Sequence, residues 1–147
     1  MPKKKVLYIV TGLFLSLSLL SCGSLFRPAT FIQSMEPTWA VIELREGLAY
    51  EKAWANVIDL LVKRFDLEMA SKDDGYARTA WLYTWTGKLN ENYRVRVIVK
   101  FSADKTAVHV KSDAEYGSPG DWSAGYDTKL LATLKTDLMG SVGRMTR

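Results

Sequence analysis

The stretch that most constrains this chain is Tyr93 to Phe101, YRVRVIVKF. Tyr93, Val95, Val97, Val99 and Phe101 alternate there with Arg94, Arg96, Ile98 and Lys100. Successive side chains of a strand point to opposite faces, so this run makes a strand with one core face and one face mostly in water. An antiparallel sheet with a single apolar side is the natural setting, and that side needs a cover.

The flanking segments supply neighbours. Ser102 to Lys105 reads as a turn, and Thr106 to about Glu115 returns with Val108 and Val110 inward and His109, Lys111 and Asp113 outward. Upstream, Leu67 and Met69 alternate with Glu68 and Ala70 before Lys72, Asp73, Asp74 and Gly75, where Asp-Gly is a favoured hairpin pair. Tyr76 to Trp85 is expected to run back as the partner strand, with Ala77, Thr79, Trp81, Tyr83 and Trp85 on one face, and Gly87 to Asn92 makes the next turn. Trp39 to Leu44 reads as a further short strand. Gly117, Pro119 and Gly120 break the pattern in a loop expected to hold Trp122 and Tyr126.

Two segments change the period from two to that of a helix. Tyr50, Ala53, Trp54, Val57, Ile58, Leu61 and Phe65 fall on one helical face, with Glu51, Lys52, Asn56, Asp59 and Lys63 away from it. Near the end, Asp127 or Thr128 is placed to cap a helix carrying Leu130, Leu131, Leu134, Leu138 and Val142 on one side. The expected fold is α+β with two layers: an antiparallel β-meander of about four strands covered on one face by two amphipathic helices. Residues 38–147 are enough for one such domain and one core.

The amino-terminal region has a different logic. Lys3, Lys4 and Lys5 precede an apolar run from Val6 to Leu20, and Leu19, Leu20, Ser21 and Cys22 close it with the chain's single cysteine. The run falls short of the roughly 20 residues that an α-helix needs to cross the hydrocarbon core, which favours an export signal that is removed. An ordinary buried thiol and an uncleaved membrane anchor are the other readings of the same residues. Leu19-Leu20-Ser21-Cys22 resembles the lipobox of bacterial lipoproteins. That resemblance implies cleavage after residue 21, a diacylglyceryl group on the Cys22 thiol and an acyl chain on its new amino group. It implies an envelope protein bound to membrane lipid through Cys22. Gly23 in the following position implies, by the enterobacterial sorting pattern, the outer membrane on its periplasmic side. Residues 22–37 then read as the lipidated terminus and a tether.

Removal of the signal also changes the charge. Of 20 basic residues, Lys3, Lys4 and Lys5 leave with it, so 17 face 16 acidic ones and the formal +4 falls to about +1. Nothing in that balance points to nucleic acid as a partner. With Cys22 acylated no thiol is left for a disulfide, a zinc site or a nucleophile, and stability must come from a core. No cofactor motif is present; the groups expected on the chain are the acyl chains of Cys22.

A second resemblance covers the globular part. The helix start AYEKAW, the helix end KRFDLE, the hairpin DDGYARTAW, the strand YRVRVIVKF and the terminal amphipathic helix are similar to the helix-grip domains of the BamC family, lipoproteins of the outer-membrane β-barrel assembly machine. The likeness spans the mature domain once, whereas BamC has two such domains and a long unstructured leading segment. It implies a helix-grip fold and a place in an envelope protein complex, and it brings no catalytic motif.

Catalysis is not expected. His109, the sole histidine, falls on the outward phase of its strand with no acidic cluster placed recognisably around it, and the paired carboxylates Asp73 and Asp74 suit a turn. Phosphate-loop, HExxH and Gly-x-Ser-x-Gly patterns do not occur. Two features carry expected binding. Arg78, Arg94, Arg96, Lys100, His109 and Lys111 lie on the outward sheet face, either as a surface for anionic headgroups or an acidic protein, or as a solvated face paired locally with Glu68 and Asp113. Among the aromatic residues, Trp81 and Tyr83 are expected in the core, while Trp85, Trp122 and Tyr126 are expected at a protein or glycan contact. The functional expectation is a non-catalytic accessory or scaffold lipoprotein, with binding of a small amphiphile, lipid or cell-wall glycan in a cavity between sheet and helices as the alternative.

Overall fold

The computed structural model describes residues 27–144, so the signal, the lipobox and Cys22 lie outside the described residues. Its elements are β1 (Phe31–Gln33), β2 (Ala40–Glu43), α1 (Tyr50–Val62), β3 (Leu67–Ser71), β4 (Tyr76–Thr79), β5 (Tyr93–Phe101), β6 (Ala107–Ser118), β7 (Asp121–Asp127) and α2 (Thr128–Ser141). The seven strands form one antiparallel sheet in the order β1-β7-β6-β5-β4-β3. β2 pairs the first part of β6, residues 107–110, and β7 pairs its second part, residues 113–118.

The long β5–β6 ladder sets the two faces. Val95, Val97 and Val99 on β5 and Val108, Val110 and Ala114 on β6 are buried, together with Ile42 of β2. The buried faces of α1 (Ala53, Trp54, Val57, Leu61) and α2 (Leu130, Leu134, Leu138) join them in one apolar cluster. Each fully buried Val or Leu contributes about 1.5–3 kcal/mol relative to exposure, so this layer is the main source of stability. The helices and the apolar side of β5 therefore take the places that their periods predict.

α1 starts after Ala49 without a side-chain cap, with Glu51 in its first turn as a favourable charge near the positive end of the dipole. Its first turn is held instead by tertiary packing: the Tyr50 ring meets Phe101 edge-on at 5.1 Å, and its hydroxyl donates to the Lys72 carbonyl. α2 follows β7 with no intervening loop, because Asp127 ends the strand and its carboxylate accepts the Leu130 N–H at 2.7 Å.

The sheet has seven strands rather than about four, and each difference has a local cause. β1 lies inside the stretch expected as tether; Phe31 is 3% exposed and meets the Tyr93 ring edge-on at 5.9 Å. A strand of three residues is too short to display a period. β7 lies in the stretch expected as a loop. Gly117 (φ 147°) and Gly120 (φ 89°) build a tight hairpin there, and a Cβ on Gly117 would come within 2.1 Å of the Asp121 carbonyl oxygen. Finally, the run Tyr76 to Trp85 is a regular strand only as far as Thr79.

Candidate functional site

The uncovered face of the sheet carries the charged side chains, and its arrangement depends on what happens after Thr79. Arg78 lies opposite Ile98, and Leu82 lies opposite Val95. Four steps along one strand thus match three along the other, which is one extra residue, and one extra residue reverses the phase. Thr79 bridges the irregularity: its buried hydroxyl accepts the Val97 N–H at 2.9 Å and donates to the Ala80 carbonyl at 3.1 Å. The Ala80 N–H turns to the Asp66 carbonyl.

The consequence is an exchange of roles among the aromatic residues. Trp81 and Tyr83, expected in the core, stand on the outer face, while Leu82 and Trp85 pack against the core. Trp85 is thereby removed from the expected contact patch. Arg94 Cζ lies 4.4 Å from the centre of the Trp81 ring and 4.3 Å from that of Trp122. Arg96 Cζ lies 4.4 Å from the Trp81 ring centre. Trp122, Arg94, Trp81 and Arg96 therefore form a stack of alternating aromatic and cationic groups across β7, β5 and the segment after β4. Each such contact contributes about 0.5–1 kcal/mol at a partly exposed site.

Acidic residues directly opposite on β6 neutralise the stack. Arg94 faces Glu115 and donates to it from Nε at 2.7 Å, and Arg96 faces Asp113 and donates to it at 3.2 Å. Lys111 Nζ reaches the other Asp113 oxygen at 2.9 Å, and Arg78 donates to Glu68 at 2.8 Å. Burial works against the charge of Arg94, but its hydrogen bonds to the Tyr83 hydroxyl and to Glu115 outweigh that and hold its pKa above the ordinary value. The cation cluster is thus a paired, stacked surface, with Lys100 exposed at its end.

The other expected residues find these places. Tyr126 points outward in one row with Asp113 of β6 and Ile32 of β1. His109 also faces outward, 6.5 Å from the Trp39 ring and opposite Val41 and Lys100. Asp74 accepts the Ser71 hydroxyl at 2.6 Å in the β3–β4 turn. The connector Ser34–Pro37 borders a shallow groove of about 260 Å³ over Trp81, Arg96, Lys111 and Asp113. A second groove of about 440 Å³ opens between the helices and is lined by Asp59, Lys63, Arg64 and Asp137 as well as Leu60 and Leu134.

Trp39, whose ring sits 5.3 Å from Lys111 Nζ, is a site residue that sequence reasoning missed. The signal for the cation–carboxylate pairs was present, because Arg94 and Arg96 on one strand and Asp113 and Glu115 on the next share the outward phase. No protein-family model matches the chain, and no curated protein matches its sequence.

Proposed function

We propose that this chain is a bacterial envelope lipoprotein, anchored through acyl chains on Cys22, whose domain is a non-catalytic protein-interaction module of helix-grip type. The observation that carries the reading is the stack Trp122–Arg94–Trp81–Arg96, held on the sheet face that neither helix covers. Tryptophan and arginine, rigid and amphipathic, are the residue types that dominate protein contacts when a partner excludes water from them. Here they are already ordered by Glu115, Asp113 and Tyr83, so a partner would not bear the entropy of fixing them. An antiparallel sheet with two helices against its apolar side is the architecture that the likeness to BamC domains implies, and a place in outer-membrane protein assembly is proposed on that likeness alone.

The amphiphile reading asks for space between sheet and helices. Val57, Leu61, Val97, Leu134 and Leu138 meet there in one buried cluster, which favours the interaction module.

The test uses the native chain captured from detergent-solubilised envelopes, alongside Trp81→Ala and Arg94→Ala. The expected result is acyl mass on Cys22 and a co-purifying envelope subunit that both variants lose while remaining folded. A subunit retained equally by both variants would remove the stack from the interface, and a bait with its signal intact and no acyl mass would remove the lipoprotein reading.

A further inference from the structure

A different part of the uncovered face points to a second partner. Ile32, Met35, Trp39 and Val41 are 42%, 89%, 38% and 53% exposed, and they cluster within ten residues of chain where β1 passes to β2. Ile32 and Val41 lie on the outward phase of β1 and β2, since their neighbours Phe31 and Ile42 are buried. Met35 is presented by a fixed turn, because the Ser34 hydroxyl bonds both the N–H and the carbonyl of Glu36. Large apolar side chains gathered at one edge in this way mark a contact surface rather than scattered exposure.

The place of the patch in the chain says what it contacts. Ile32 follows Cys22 by ten residues, a reach of at most about 35 Å even when fully extended. Ile32 lies on β1, so an anchor on Cys22 would hold this edge of the sheet within that reach of the bilayer. An acyl chain at that distance keeps this edge at a high effective concentration against the bilayer surface. Trp39 beside the Lys111 ammonium and His109 is the pairing of amphipathic ring and cation that suits the headgroup level.

We propose that Ile32, Met35, Trp39 and Val41 form a membrane-contact patch that inserts shallowly among phospholipids and orients the domain on the bilayer that holds its anchor. The proposal rests on the Cys22 anchor put forward above. The patch would place one edge of the sheet on lipid and leave the Trp81–Arg94 stack, on the same face beyond Asp113, for a partner.

The test places a diazirine-bearing leucine analogue at Met35, at Val41 or, as control, at Lys135 of α2 in the full chain, with irradiation of intact envelopes. Mass spectrometry then reads the adduct at the labelled position and the acyl mass on Cys22 from the same sample. Phospholipid adducts at 35 and 41 with none at 135 are expected. Protein adducts in their place, or lipid adducts no more abundant than at 135, would overturn the patch while an acylated Cys22 left the anchor standing. Lipid adducts at 35 and 41 on a chain without acyl mass would support the contact and overturn the anchor. Loss of both signals would overturn both.

Discussion

Asp127 has no exposed surface, yet three donors converge on its carboxylate. The Leu130 N–H reaches Oδ1 at 2.7 Å, and the hydroxyls of Thr30 and Tyr93 reach Oδ2 at 2.6 and 2.5 Å. One side chain thereby caps α2, holds the residue before β1 and satisfies a buried phenol. Asp127→Ala removes the cap and leaves buried donors unpaired, and should lower unfolding stability by about 3 kcal/mol, read from the urea midpoint. Tyr93→Phe removes the hydrogen bond to Asp127 and should cost about 1 kcal/mol at neutral pH. Burial first, and the hydrogen bond to Asp127 second, push the Tyr93 pKa well above its ordinary 10.0. The phenol therefore contributes stability that is fully present below pH 10 and is lost as the pH rises beyond it, because the unfolded chain ionises there and the folded one does not. Tyr93→Phe should accordingly show a shallower alkaline fall in stability than the parent. Equal slopes would mean that Tyr93 is not held protonated by the fold.

At the scale of elements, the single extra residue after Arg78 separates what the sequence discloses from what it hides. The period of α1, the alternation of β5 and the leucine face of α2 are each sustained over several turns or pairs, and all three are legible. The phase of Trp81 is not, since a bulge costs one residue and leaves no composition signal. β7 was hidden for another reason: Ser123, Ala124 and Gly125 carry little apolar contrast, and Gly125 is small because a Cβ there would meet the Ile32 carbonyl oxygen at 2.1 Å. Half of the site followed directly, in that Arg94, Arg96 and Lys111 do share the outer face; their aromatic partners depended on the bulge. The exchange is testable by a pair of variants. Trp85→Ala should cost about 3 kcal/mol because that ring packs on the core, whereas Trp81→Ala should cost about 1–2 kcal/mol through lost contacts with two guanidinium groups. The reverse ranking in thermal or urea unfolding would place Trp81 in the core. Thr79→Val, which orphans the buried Val97 N–H, should cost about 2 kcal/mol and identifies the bridge across the bulge.

Over the whole molecule, the two ends of the described chain close the structure. β1 pairs the far strand β7, with the Thr128 N–H donating to the Thr30 carbonyl, and the Arg144 N–H donates to the Glu43 carbonyl of β2. Contacts between such distant parts form only when the intervening sheet has formed, so the edge at β1 belongs to the same cooperative unit as the core. Phe31 is the residue through which that edge is coupled: buried against Tyr93, it fills the space beside Gly125. Phe31→Ala should therefore lower global stability by about 3 kcal/mol, with all probes of unfolding still coincident. Cys22 precedes this unit, and Cys22→Ser, in a chain from which residues 1–21 have been removed, should change the unfolding midpoint by no more than the equivalent of about 0.5 kcal/mol while moving the chain out of the membrane fraction. The two substitutions thus separate fold from location. A midpoint that Phe31→Ala leaves unchanged would detach β1 from the core and return it to the tether. Cys22→Ser protein that has lost residues 1–21 and still stays in the membrane fraction would show that something other than acylation and the apolar run Val6 to Leu20 holds the chain there, and the apolar edge at Ile32, Met35, Trp39 and Val41 would be the first place to look.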